Sequence, residues 1–247
     1  MTTASSKKKD PKSFARVIRE WVVAIVTAFV VLTPIRSSIV DWNDVPSGSM
    51  EPTILTGDRI IVNKLAYGLR LPLTMKWITR WSDPKPGDVV ILFGPKDGVR
   101  LVKRVVGKPG DTIELRDGVV HINGTPLEYT DFTDEQRNGI WHGVKAGREF
   151  KTEKLGDHPH TVARLTAIPT EDPTRPGSGA RRTMSPVTLG PDQFWVMGDN
   201  RDQSNDSRYY GPVNRGVIVG RSSYIAFSVD PGYYYLPRFS RWFSSMD

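Results

Sequence analysis

The sequence predicts a mainly β protein behind one N-terminal transmembrane helix, and three observations lead there. The only long apolar stretch lies near the N-terminus. Beyond it, short runs rich in Val, Ile and Phe recur between Gly, Pro, Asp and Asn turn signals, the pattern of strands and hairpins. A polar stretch from 128 to 190, with Pro, Gly and Thr clusters, interrupts this β-rich part and reads as an inserted β-rich subdomain or a long decorated β excursion. With 247 residues, 38% of them hydrophobic, the chain can build one sizeable domain or one domain carrying an insertion. The organisation expected is a basic tail (1–19), an anchor (20–40), a first part of the core (41–127), the insertion (128–190), and a second part of the core with a membrane-proximal tail (191–247).

The tail carries Lys7, Lys8, Lys9, Lys12, Arg16 and Arg19 against Asp10 and Glu20, a cytoplasmic tail by the positive-inside rule. Residues 21–34 hold no charge, but as a helix they reach only about 21 Å of a ~30 Å hydrocarbon core. Ile35, Ile39 and Val40 lengthen the run, and Arg36 can snorkel to the far interface, so a tilted span to Val40 is feasible. A cleaved leader would need a small-x-small site, which Ser37-Ser38-Ile39 supplies poorly, and an uncleaved anchor is the better reading. The net charge of +7 could suit nucleic acid, yet the basic residues form no long patch interleaved with stacking aromatics. Their concentration at the chain ends suits a phospholipid bilayer, and no nucleic-acid partner is expected. There is no cysteine, so thiolate catalysis, disulfides and cysteine-held metal are excluded.

Val45-Pro46-Ser47-Gly48-Ser49-Met50-Glu51-Pro52-Thr53 follows the anchor as a stiff turn that can be neither a regular helix nor a central strand. Gly57-Asp58 then opens a β-rich run to Asn63. The apolar, poorly periodic loop from Tyr67-Gly68 to Trp81 fits either a membrane interface or packing under the domain. Residues 89–93 read as a strand buried on both faces. Over 99–106, period two puts Val99, Leu101, Lys103 and Val105 on one face and Arg100, Val102, Arg104 and Val106 on the other, with Arg104 read as solvated or paired. Asp117-Gly118 and Asn123-Gly124 mark hairpin turns, 170–183 reads as a mobile loop, and 194–197 is a strand running into 198–208. Two closing strands follow, and then a tail mixing tyrosines, Phe239, Trp242 and Phe243 with arginines, either an interfacial contact or a docked tail.

A hydrolase needs a nucleophile, a base and an anion stabiliser. The four histidines do not serve: His121 sits in a hairpin, and His142, His158 and His160 fall in the polar stretch, where His158-Pro159-His160 reads as a surface loop rather than a metal site. Lysine can replace histidine when neutral. A free lysine is only about 0.1% neutral near pH 7.4, whereas burial lowers its pKa by several units. Ser49 is therefore the expected nucleophile and Lys103 the general base. The Ser49 N–H and the Ser47 hydroxyl are the expected oxyanion donors, Ser204 can orient the lysine, and Asp206 can pair with Arg208 to fix its loop. No cofactor or metal is expected.

At these residues the chain resembles bacterial type I signal peptidases, membrane-anchored serine proteases that remove signal peptides. The resemblance runs from the anchor to about Ser228 and rests on PSGSMEPT around Ser49, GDRIIVNKLAYG (57–68), PGDVVILF (86–93), RLVKRVVGKPGD around Lys103, and GDNRDQSNDSRYYG (198–211). It implies an all-β catalytic core and a Ser49/Lys103 dyad, with Ser47 in the oxyanion hole and Ser204 orienting the lysine. It also implies support from Asp199, Arg201, Asp206 and Arg208, and small pockets lined by Val45, Pro46, Met50, Ile54, Leu101 and Val102. Signal peptides of exported preproteins would bind as extended strands and be cut after small residues at −1 and −3. The implied setting is the bacterial inner membrane, crossed once with the N-terminus cytoplasmic. Unlike the best-known enterobacterial member, the chain has one span rather than two and no cysteine pair in the insertion. A self-cleaving repressor-type Ser/Lys protease would carry a DNA-binding helical domain where this chain has an anchor. A silent signal-peptide-binding scaffold would not require Ser49, Lys103 and Ser204 together.

Overall fold

The computed structural model describes residues 11–140, 142–144, 146–167 and 181–246. The basic cluster at Lys7–Lys9 and most of the expected mobile loop lie outside them. Helix α1 (Pro11–Ser38) carries one membrane-length apolar span, Phe14–Ser38, whose most apolar 18 residues are not buried against the rest of the chain, whereas Ser38 at its end is. The helix thus starts within the stretch read as tail and stops short of Val40. Its last backbone bond runs from the Ile39 N–H to the Ile35 carbonyl, and Val40 already pairs with Asn63 in a sheet. Pairing with a neighbouring strand outcompetes two more helical residues. Arg36 does not extend freely into an interface, since it bonds Asp41 at 3.1 Å and lies over the Trp42 ring.

The strands are β1 (Val40–Asp44), β2 (Asp58–Asn63), β3 (Gly68–Arg70), β4 (Trp77–Arg80), β5 (Val89–Phe93), β6 (Arg100–Gly107), β7 (Thr112–Arg116), β8 (Val119–Ile122) and β9 (Thr125–Pro126). They continue with β10 (Glu128–Asp131), helix α2 (Asp134–Gly139), β11 (Arg148–Leu155), β12 (His158–Leu165), β13 (Met184–Thr188) and β14 (Gln193–Met197). Helix α3 (Ser207–Tyr210), β15 (Val213–Asn214), β16 (Ile218–Asp230) and β17 (Leu236–Pro237) complete the chain. The main antiparallel sheet has the order β1-β2-β16-β5-β6-β14-β15, with β17 added to β16. Its long central strand β16 shifts register repeatedly against β2 and β5, and such bulges bend a strand and raise its twist. The sheet curls until Arg100 on β6 reaches Asn43 on β1 at 2.8 Å.

Three apolar clusters fill the interior. One lies under the turn that carries Ser49, around Met50, Ile54, Ile60 and Ile91; the second is around Leu92, Val105, Phe194 and Val196; the third is around Ile113, Leu115, Trp195 and Met197. The hairpin β7-β8 turns at Asp117 and Gly118, both at positive φ, which Asp and Gly accept at little strain. Strand β13 lies within the 128–190 stretch yet pairs with β7. β10-β11-β12 form a separate three-stranded sheet tied to the main body by a bridge from Ala163 to Asn200.

The apolar stretch after Tyr67 is a hairpin, β3-β4, rather than a loop. Trp77 packs inward under the guanidinium groups of Arg70 and Arg215, while Leu71, Leu73, Ile78 and Trp81 stay exposed. Packing under the domain therefore holds for Trp77 and not for these exposed residues. At the C-terminus the arginines dock and the aromatics face out. Arg241 bonds Asp58 at 2.6 Å and the Thr53 carbonyl at 2.9 Å, Arg238 is buried, and Tyr233, Tyr234, Tyr235, Phe239 and Phe243 are exposed.

Candidate active site

Ser49 stands on a turn fastened from three directions. The Val45 N–H bonds the Asp58 carbonyl and the Ile54 N–H bonds the Met50 carbonyl, closing the turn on itself. Met50 and Ile54 are fully buried, so their side chains pin it from below. From the far side Asn200 donates its backbone N–H to the Ser49 carbonyl at 3.2 Å and its Nδ2 to the Gly48 carbonyl at 2.9 Å. That clasp needs glycine at 198, because a Cβ there would lie 2.3 Å from both the Ser49 carbonyl oxygen and Ser204 Oγ. The Ser49 N–H itself has no backbone acceptor among the described residues.

Lys103 comes to Ser49 from the middle of β6, where it pairs with Val90. Its Nζ donates to Ser49 Oγ at 2.7 Å and to the Val102 carbonyl at 2.9 Å. The residue is only 2% exposed. Burial pulls the ammonium down to about 8, against the charges of Asp206 and Asp199, which favour the protonated form, and with help from Arg208. At that value roughly a fifth of the lysine is neutral at pH 7.4, about 200 times the fraction for a free side chain.

Both faces of β6 are buried from Lys103 onward, so Arg104 is neither solvated nor on an exposed basic face. Arg104 forks onto Asp199 at 2.9 and 2.8 Å and caps the Gly87 carbonyl. Burial alone would raise the Asp199 carboxyl, but the Arg104 charge holds it below the usual carboxylate range. Arg201 takes Glu153 of β11 through bonds of 2.5 and 2.6 Å, and the same carboxylate receives the Tyr129 hydroxyl and lies 3.3 Å from His160. His158-Pro159-His160 is therefore part of strand β12, not a surface loop, with His160 buried against a carboxylate. No three His, Asp or Glu residues group as a metal site among the described residues. Asp206 pairs with Arg208 at 2.8 Å, takes the Gly198 N–H at 3.0 Å, and is held low by the arginine despite complete burial.

Ser204 is buried beside Asp206, whose carboxyl its hydroxyl helps to hold low, but no hydrogen bond joins it to Lys103. Ser47 is exposed two positions before Ser49, and Pro46 is exposed beside it. Val45, Met50, Ile54 and Val102 share one apolar cluster, whereas Leu101 packs against another, as neighbours on a strand must. Met50 and Ile54 are floor rather than wall, at 1% and 0% exposure.

Sequence reasoning missed Arg104, Glu153, Tyr129, Asn200 and the Arg148–Glu51 bridge of 2.8 Å that braces the serine turn. Arg104 carried a usable signal, since a strand bounded by apolar runs on both sides leaves its charged members nowhere to go but inside. Glu153 carried none, because its partner lies 48 residues away across an irregular stretch.

A hydroxyl held 2.7 Å from a buried amine is the pairing of nucleophile and base that serine peptidases need. The chain is a member of one family of them: the model described as "Signal peptidase, peptidase S26" matches residues 18–227. It is 35% identical over 234 residues to signal peptidase I of Pseudomonas aeruginosa, covering 86% of this chain and 74% of that one. It is 28% identical to signal peptidase I of Bacillus licheniformis, covering 92% of this chain and 95% of the relative. A crystal structure of a signal peptidase I from Enterococcus faecalis matches 57% of this chain and 97% of its own with 26% identity and a TM-score of 0.33.

Proposed function

We propose that the chain is a membrane-bound endopeptidase that removes signal peptides from exported preproteins, with Ser49 as nucleophile and Lys103 as general base. The observation that carries this reading is the 2.7 Å contact between Lys103 Nζ and Ser49 Oγ at a lysine excluded from water. In its neutral form the amine accepts the Ser49 proton as Oγ attacks the scissile carbonyl, and the carbonyl oxygen becomes an oxyanion. The free Ser49 N–H and the Ser47 hydroxyl stabilise that charge, each donor contributing about 10² to 10³ in rate. The ammonium then protonates the leaving amine, which departs as the new N-terminus of the mature protein, and an acyl-enzyme remains. The now neutral Lys103 takes a proton from a water whose oxygen attacks the ester, and the ammonium returns that proton to Ser49 Oγ as the signal peptide leaves with its new carboxylate. Ser204 orients the amine once substrate binding brings its buried hydroxyl into play.

The substrate site is a gap in the sheet. Strand β14 pairs only with Arg104–Gly107 of β6, which leaves the outer edge of residues 100–103 without a strand partner among the described residues. The outer edge of β1 is also free where it leads into Val45 and Pro46. An extended peptide can add to these edges, with small residues at −1 and −3 against Val45, Pro46, Met50, Ile54, Leu101 and Val102. The apolar helix anchors the chain in the bacterial inner membrane with its N-terminus cytoplasmic and the β domain outside. Residues 41–127 and 191–247 build the catalytic core, and 128–190 brace it through Glu153 and Arg201.

The test is cleavage of a preprotein bearing an Ala-x-Ala site, in detergent, by wild type, Ser49→Ala and Lys103→Ala, with N-terminal sequencing of the product. Cleavage after the second small residue by wild type alone supports the dyad and substrate class together. Binding without cutting by every form, wild type included, leaves a scaffold instead.

A further inference from the structure

Where α1 meets the β domain, the structure holds a cavity of about 500 Å³ that the peptidase chemistry does not use. It is lined by the last turn of the helix, by Asp41, by the tip of the β3-β4 hairpin and by the start of β6. Four cations reach it, Arg36, Lys64, Arg70 and Arg100, against the single carboxylate of Asp41. Lys64 is already committed: its Nζ bonds Asp41 at 3.0 Å and the Arg36 carbonyl at 2.7 Å, closing the carbonyl end of the helix. Asp41 is shared between Lys64, Arg36 and Arg100. Arg70 is only 3% exposed, no carboxylate lies within ion-pair reach of it among the described residues, and its Nε has no hydrogen-bond partner. Its fork meets the Met75 sulfur, the carbonyls of Gly216 and Ile218 and the face of the Trp77 ring, none of which carries a full negative charge. A buried guanidinium with no counter-charge is unfavourable unless an anion joins it.

The surroundings say where that anion comes from. The cavity opens at the end of the Phe14–Ser38 span, and Leu71, Leu73 and Met75 stand exposed on the hairpin tip beside it, with Trp42 exposed on β1. Leu73 is tied to the helix end by its N–H to Ser37 Oγ at 3.2 Å. Cations at headgroup depth above an apolar rim match a phosphate carried on acyl chains. We propose that this cavity binds the phosphate of an anionic phospholipid headgroup, between Arg36, Arg70 and Arg100, with the acyl chains running along α1 and the hairpin tip. The proposal rests on the anchored reading of α1.

The full chain is reconstituted into nanodiscs of phosphatidylcholine containing a minority of phosphatidylglycerol, re-extracted in mild detergent, and its retained phosphatidylglycerol counted by mass spectrometry. Wild type should retain it preferentially over phosphatidylcholine, and Arg36→Gln and Arg100→Gln should each lower retention about fivefold. Both sites are partly exposed, so folding is spared. Lys108→Gln removes the same charge from an exposed loop and should change nothing. Equal retention by wild type and both arginine variants, or an equal loss in Lys108→Gln, overturns the site. If 10-fold excess inorganic phosphate strips the lipid or protects lipid-free protein against heat as well as phosphatidylglycerol does, the ligand is free phosphate and the lipid assignment falls. A chain that does not enter the nanodiscs refutes the anchor itself, whereas one that enters without lipid preference refutes only this inference.

Discussion

Replacing Lys103 by methionine should abolish cleavage and at the same time stabilise the fold. A lysine held at about 8 instead of 10.5 leaves the protonated folded protein about 3 kcal/mol less stable than a solvated ammonium would. Methionine fills a similar volume without a charge to desolvate, and loses the hydrogen bonds to Ser49 and to the Val102 carbonyl, together worth about 1 to 2 kcal/mol. The net gain is about 1 to 2 kcal/mol, or about 2 to 8 °C in Tm. The pH dependence is diagnostic. Below pH 8 the lysine is protonated in both the folded and the unfolded chain, and the wild type carries the full disadvantage. Between pH 8 and 10.5 only the unfolded chain holds the proton, so wild-type stability rises with pH by about 3 kcal/mol, and by 10.5 the gap has closed and reversed in favour of the wild type, which keeps its hydrogen bonds. Equilibrium denaturation of the full chain in detergent, followed by tryptophan fluorescence at pH 6, 8 and 10, measures it. A gap of constant size across that range, or a wild type more stable than the variant at pH 6, would refute the claim that Lys103 is held by desolvation.

Further outcomes follow from the same geometry. The value of kcat/KM should climb about tenfold per pH unit well below pH 8 and level off above it, as the base loses its proton; a profile flat from pH 6 to 9 would exclude Lys103 as base. Arg104→Ala leaves the Asp199 carboxylate buried without its partner and should cost about 3 to 5 kcal/mol, read as a fall in the denaturation midpoint that Asp199→Asn in the same chain partly restores. Gly198→Ala drives a methyl into the Ser49 carbonyl and should lower kcat by about 10² through misplacement of the nucleophile, with active-site labelling of Ser49 falling in parallel.

The sequence was most readable where local chemistry decides the outcome. The Asp117-Gly118 turn demands residues that tolerate positive φ, and the hairpin forms there. The unbroken apolar run at 89–93 is a central strand. Ser49 and Lys103 were legible as candidates because their residue types carry chemistry. Their 2.7 Å meeting was not, since it depends on how a bulged sheet curls to join residues 54 positions apart. Arg104, read as solvated or paired, is paired with Asp199; its burial was not legible, since strict alternation assumes one wet face and both faces of β6 are buried from Lys103 onward. The helix end was displaced because periodicity cannot weigh Val40 as a last helical residue against Val40 as the partner of Asn63.

Strand β6 is divided along its length. Its second half, Arg104–Gly107, is locked to β14, while its first half keeps one open edge that ends at Lys103. A guest strand laid on that edge is counted off in pairs of residues from a fixed origin, because a slip by one turns every side chain to the opposite side. The amine proposed to start the chemistry belongs to the same strand proposed to set the count. On that proposal choosing a bond and cutting it are one mechanical act, and an insertion or deletion between Arg100 and Lys103 should move the scissile bond along the substrate rather than merely slow its hydrolysis.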